Sequence, residues 1–173
     1  MAFSDLQFPA PAIGAIRLDS DADMSYEFIA DSRTYTDSPN PEARRIYGQY
    51  VPALDPATAL RKIVIQHLSH SSDLSVGFRT NAGAMNPNLE PATVTPRLYT
   101  SDGRLLGTGA PFVVPPRSVS HLPLSALIGQ PTIEFTDGYL LLESTVPVFG
   151  YGSVVDNRSG DQFFIPGADD RAD

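Results

Sequence analysis

The chain has 173 residues, of which 42% are hydrophobic and 18% charged, which suits one domain with a real core and does not read as disorder. Twelve basic against twenty acidic side chains leave a net charge of −8, which repels a phosphate backbone, and no basic cluster exceeds Arg44-Arg45. Nucleic acid and anionic membrane surfaces are thereby poor partners. The absence of cysteine removes disulfides and thiolate chemistry, and no run of 18 apolar residues is present to span a bilayer.

In chain order, Ile13 to Asp19 and Met24 to Asp31 alternate as strands around the acidic turn Ser20-Asp21-Ala22-Asp23. Asp55-Pro56-Ala57-Thr58 has the form of a capped helical turn. Arg61 to Leu68 predicts a strand buried on both sides, with Ile63, Ile65 and His67 on one face and Val64, Gln66 and Leu68 on the other. Further strands are expected over Ser75–Met85, Ala92–Thr100, Arg104–Thr108, Phe112–Val114, Tyr139–Glu143, Val146–Val155 and Phe163–Ile165, with one or two helical turns over Leu122–Ile128. Asp102-Gly103 marks a tight hairpin, and Asn86-Pro87-Asn88 and Pro115-Pro116 end strands because proline cannot donate to a ladder.

Sixteen prolines and thirteen glycines scattered among many short strands predict an all-β, antiparallel sandwich or barrel. It is read as a single domain over 1–173, with 1–12 and 168–173 as flexible ends. The expected core is Ile16, Leu18, Ile63, Ile65, Phe78, Val94, Leu98, Leu140, Leu142, Val154 and Ile165.

An internal hairpin repeat is also expected. Gly14 to Ser20 matches Gly138 to Ser144 in residue character. Each is followed by a strand reaching a polar turn with arginine (Arg33 and Arg158), then by Tyr50-Val51-Pro52 or Phe164-Ile165-Pro166.

The strings Tyr151-Gly152-Ser153-Val154-Val155-Asp156-Asn157-Arg158-Ser159-Gly160-Asp161, Tyr47-Gly48-Gln49-Tyr50-Val51-Pro52 and Phe78-Arg79-Thr80-Asn81-Ala82-Gly83 resemble those of β-sandwich modules in secreted bacterial multidomain proteins. The resemblance covers about residues 14 to 167. It implies an immunoglobulin-like sandwich with no established activity and an extracellular or cell-surface setting, with partners among other domains of a parent protein or surface components. Met1 to Asp5 lacks the basic start and apolar run of a signal peptide, so either the protein is cytoplasmic or the chain starts after a removed segment.

Candidate chemistry is sparse. Asp19, Asp21 and Asp23 have the spacing that offers calcium three carboxylates, although Met24 and Ala30 break the EF-hand pattern. A solvated acidic turn is the preferred reading, because the matching turn Ser144-Thr145-Val146-Pro147 holds no acids. Asp156, Asn157 and Asp161 form an oxygen-rich loop that can bind a ligand or brace its own backbone, and the bracing role is preferred.

His67 and His70 fall on opposite faces of a strand, so zinc binding with His121 is not expected, and His67 is placed at the core edge. Ser153 lacks the context of a hydrolase elbow. Arg79 and Asn81 share one strand face, as a ligand contact or a cross-strand polar pair. With no triad, metal cluster or phosphate loop visible, the chain reads as a non-catalytic structural or interaction module without a cofactor. The alternative is a carbohydrate- or peptide-binding domain, possibly assisted by calcium. Lacking Trp, such a domain would rely on Tyr26, Tyr35, Tyr47, Tyr50, Tyr99, Tyr139 and Tyr151.

Overall fold

The computed structural model describes residues 16–19, 30–37 and 46–170. Among the described residues the protein is mostly β, built of antiparallel sheets with one short α-helix. Among the described residues, strands β1 (Asp31–Asp37) and β2 (Ile46–Pro52) pair only with each other. A 3-10 turn at Pro56–Thr58 follows, capped by Asp55, whose carboxylate accepts from the Ala57 N–H at 2.9 Å. The remaining strands are β3 (Leu60–His70), β4 (Phe78–Asn86), β5 (Ala92–Thr100), β6 (Leu105–Thr108), β7 (Phe112–Val114), β8 (Ser118–Val119), β9 (Leu122–Pro123), β10 (Phe135–Asp156), β11 (Gln162–Pro166) and β12 (Ala168–Asp169). Helix α1 (Leu124–Ile128) sits between β9 and β10 and ends on Gly129 in the left-handed conformation. Ala168 and Asp169 pair with β3, inside the stretch read from sequence as an end.

The 22 residues of β10 unite two strands that the sequence reading kept apart. Phe135 to Ser144 runs between β3 and β5, and Phe149 to Asp156 runs between β4 and β11. Around Pro147, which has no N–H to donate, the pairing with β3 shifts register between Glu143 and Val148. The second half of β10 lies over β3. A Cβ on Gly150 would stand 2.8 Å from Ile63, and one on Gly152 would stand 3.1 Å from both Ile65 and Leu68. Glycine at both places lets the layers close on Ile63, Ile65, Leu68, Ala82, Ala84, Val94, Leu98, Leu140, Leu142, Val148 and Val154, all within 1% of full burial.

Most of the expected core is buried, but Ile16 and Leu18 are not. They are 55% and 47% exposed, and residues 16–19 form no strand. Leu142, the proposed counterpart of Leu18, is fully buried, so the internal repeat fails. Tyr26 and most of the strand expected over Met24 to Asp31 lie outside the described residues. What survives of the echo is limited to Pro52 and Pro166, each closing the second strand of an antiparallel pair.

Strand β3 departs from strict alternation at His67, which has φ 58. Between the pairs Leu140–Ile65 and Gly138–Leu68, β3 spends one residue more than β10, which is a bulge. Leu68 and His70 therefore turn inward on the side of Ile63 and Ile65, while His67 is exposed rather than at the core edge. A left-handed non-glycine residue costs about 1–2 kcal/mol. His67→Gly should accordingly raise the thermal midpoint by about 2–8 °C, and His67→Val should lower it. A valine variant as stable as wild type would refute the bulge.

Candidate functional site

Where β3 hands over to β4, the chain must cross between layers in seven residues, Ser71 to Gly77. Small polar residues shape this loop. The Asp73 carboxylate accepts from the Ser75 N–H at 2.9 Å and the Ser75 hydroxyl at 2.7 Å, and Ser71 Oγ accepts from the Asp73 N–H at 3.2 Å. The Ser75 hydroxyl and then its N–H hold the Asp73 carboxyl below its usual value. The Ser71 N–H donates to the Phe78 carbonyl at 2.7 Å, and Gly77 supplies a φ of +67°.

A second loop, between β10 and β11, fastens the first. Asn157 Nδ2 donates to the Val76 carbonyl at 2.9 Å and the Asp73 carbonyl at 3.3 Å. Its backbone N–H donates to the Gly77 carbonyl at 2.9 Å, and its Oδ1 accepts from Arg79 Nη1 at 3.0 Å. Asp156 braces its own turn, accepting from the N–H groups of Arg158 (2.7 Å) and Ser159 (3.3 Å), which keep its carboxyl below the usual range. Asp161 Oδ1 accepts from the Gln162 N–H at 3.0 Å. The oxygen-rich loop seen in the sequence is thus a clamp on the neighbouring loop.

What the clamp holds in place is apolar. Leu74 is 66% exposed, Val76 38%, Phe78 39% and Phe163 47%. Phe78 pairs with Asp156 and Phe163 with Val154, which sets both phenylalanines at this end of the sheet. Phe78 continues the alternation of buried Thr80, Ala82 and Ala84 past the point where cover stops, so its expected place in the core is corrected to the rim. Fully burying a side chain of this size is worth about 1.5–3 kcal/mol, so four of them in water leave that much apolar burial unrealised. Sequence reading missed the patch, although Leu74, Val76 and Phe78 alternate with Ser75 and Gly77.

Two aromatic groupings lie elsewhere. Tyr99 and Tyr139, partners across β5 and β10, stack at 5.0 Å with 9° between rings on the outer face, beside the Arg97–Glu143 ion pair. Tyr151 stacks on Phe164 at 5.5 Å and on His121 at 5.8 Å, and its hydroxyl donates to the Ser120 carbonyl at 2.9 Å. Burial pushes the Tyr151 phenol up to about 12.

The other sequence candidates are dispersed. Asp19 is exposed and pairs with Arg17 at 2.7 Å, while Asp21 and Asp23 lie outside the described residues. Among the described residues no group of three His, Asp or Glu is arranged to hold a metal. Ser153 is 3% exposed and donates to Gln49 Oε1 at 2.9 Å. Asn81 faces Ser153 and Pro123 across its strand neighbours. Arg33 lies within β1 and Arg158 in a turn, so the two are not equivalent. Tyr50 is 59% exposed on β2, opposite Arg33 in the β1–β2 pair.

No family model matches the chain, and no curated protein matches it. Among solved structures it is similar to the crystal structure of Thermotoga maritima 1070, at 19% identity and a TM-score of 0.50, over 64% of this chain and 95% of that one. It also aligns with the Anabaena sensory rhodopsin transducer at 22% identity and a TM-score of 0.43, over 52% of this chain and 92% of that one. At these identities the likeness concerns the fold alone. The resemblance to secreted immunoglobulin-like modules is overturned by the Thermotoga likeness.

Two outcomes follow from the site's bonding. Asn157→Asp keeps an acceptor for Arg79 but loses both donors to the loop carbonyls. It should cost about 1–2 kcal/mol and speed amide exchange at residues 73–77, and unchanged exchange there would remove the clamp. His70 and His121 are both held below 6.5 by burial, partly offset at His70 by Glu134, and the Thr80 N–H donates to His70 Nδ1 at 3.2 Å. The unfolded chain therefore takes up protons first, so stability is full above about pH 6.5 and is lost as pH falls toward the folded values. Melting curves should show this loss, with a shallower slope in His70→Asn, whose amide oxygen can replace Nδ1 as acceptor.

Proposed function

We propose that the chain is a non-catalytic interaction module, a β-sandwich whose clamped loop end docks into an apolar pocket of a partner protein. The observation that carries this reading is the exposure of Leu74 and Val76 on a loop fixed by Asn157, together with Phe78 and Phe163 at the adjoining strand ends. A loop already held in one shape loses little conformational freedom on binding, so more of the apolar gain appears as affinity. Asp73, Asp156 and Asp161 belong to the two loops that meet here and Glu134 accepts from Ser72 in the first of them, against Arg79 and Arg158, so a basic rim on the partner fits, in keeping with a chain of net charge −8.

The carbohydrate-binding alternative would use Tyr99 and Tyr139. Their parallel stacking spends one face of each ring on the other, which suits a packed pair better than a sugar platform.

Selection of random displayed peptides on the wild type, followed by affinity measurement on a Leu74→Ser, Val76→Ser double variant, tests the reading. Selected peptides should combine apolar and basic residues and should weaken as salt rises. They should lose at least about tenfold in affinity, which is 1.4 kcal/mol, while the variant melts no lower than wild type. Binders indifferent to the double variant, or glycans that bind through Tyr99 and Tyr139, would overturn it.

A further inference from the structure

At the other end of β4, the buried side chain of Asn86 organises two chain segments. Its Nδ2 donates to the carbonyls of Glu90 (2.7 Å), Val114 (3.1 Å) and Pro115 (3.2 Å), and its Oδ1 accepts from Asn88 N–H (3.0 Å) and Asn88 Nδ2 (2.8 Å). Asn88 Nδ2 also donates to the Pro147 carbonyl at 2.7 Å, and the Arg117 N–H donates to the Asn88 carbonyl at 3.1 Å. Between these segments opens a shallow groove of about 590 Å³ lined by Arg17, Pro87, Asn88, Leu89, Glu90 and Arg117.

Arg117 is the informative residue. It follows Pro116 in a turn and has φ 51, a place where glycine or asparagine is the usual occupant. The backbone therefore gains nothing from arginine there. Among the described residues its guanidinium has no ion pair, even with Glu90 in the same groove. The second guanidinium, on Arg17, is 63% exposed and, among the described residues, pairs with Asp19 alone. A left-handed backbone retained under an uncommitted arginine, in a groove framed by a fully bonded buried amide, is strain of the kind that accompanies binding sites.

We propose that this groove binds an oxyanion, the carboxylate or phosphate of a small molecule. Arg117 supplies the principal paired donors and Arg17 a second positive charge. Glu90 accepts a hydroxyl or ammonium carried by the same ligand. The site is separate from the loop end, and its test does not depend on the protein-docking reading.

The test compares thermal unfolding of the full chain in inorganic phosphate, acetate and chloride at constant ionic strength, for wild type, Arg117→Gly and Arg117→Lys. Wild type should show a saturable rise in midpoint with phosphate or acetate over chloride. Phosphate response marks a phosphate ligand and acetate response a carboxylate, and either supports the proposal. Arg117→Gly should start about 3 °C above wild type, since it relieves the turn, yet lose the anion-dependent rise. Arg117→Lys should keep a reduced rise, because charge is retained without the paired donors. No saturable rise in wild type, an equal rise in Arg117→Gly, or an Arg117→Gly midpoint below wild type would each overturn the proposal. An equal rise would mark an adventitious ion effect only.

Discussion

Because β10 bonds to β3 and β5 along its first half and to β4 and β11 along its second, neither layer is complete without the other. The strand has to leave one layer and enter the next without stopping. It does so where Ser144, Thr145 and Pro147 interrupt the ladder with β3. The interruption has a local cost, since among the described residues Ser144 Oγ is buried with no partner, and a compensation, since Thr145 Oγ1 accepts from the Thr93 N–H at 3.0 Å. The return of β10 over β3 then relies on glycine at 150, where a Cβ would push Ile63 aside, and on glycine at 152, where a Cβ would crowd Ile65 and Leu68. Core closure therefore depends on a proline and two glycines as much as on the apolar residues that fill it.

The same economy governs the two ends of β4. Each end is organised by one asparagine whose amide is spent on its surroundings: Asn157 around residues 73–77, and Asn86 around residues 88–90 and 114–115. A primary amide can donate twice and accept twice from one rigid plane, so a single residue fixes several strands of loop that have no ladder of their own. The frames carry opposite cargo. One presents apolar side chains in an acidic setting, and the other presents arginine.

How far the sequence revealed this varied with the range of the interactions. The strand Ala92–Thr100 and the Asp102-Gly103 hairpin were legible to the residue, because alternation and turn chemistry are local; Gly103 has φ 86 as the turn demands. The bulge at His67 was half-written. The apolar spacing lengthens from two at Ile63 and Ile65 to three at Leu68, but an expectation of strict alternation hid the slip. Continuity through Pro147 was not legible, because proline ordinarily ends a strand and only the neighbouring layer keeps this one going. The supposed repeat misled for the reverse reason. Short matches among glycine, leucine and serine are common in strands, and nothing local distinguished Leu18, which is in water, from Leu142, which is in the core. Of the candidate site, Asn157 was legible as a turn residue, whereas its hold on a loop eighty residues earlier was a tertiary fact.

Three residues in the described chain contradict their immediate surroundings, and they are not alike. His67 holds a left-handed backbone, but the bulge it makes turns Leu68 and His70 inward, so its strain is repaid within the fold. Arg117 holds the same kind of backbone in a turn whose N–H bonds the Asn88 carbonyl, but among the described residues its guanidinium has no ion pair and adds nothing to that turn. Leu74 stands two-thirds exposed on a loop whose shape is set by Asp73, Ser75 and Asn157, so its own side chain contributes little to that shape. In a chain whose propensities, turns and core otherwise agree, local disagreement without a structural return is where function is to be sought. By that criterion His67 belongs to the scaffold, and Arg117 and Leu74 mark the two surfaces for which binding is proposed.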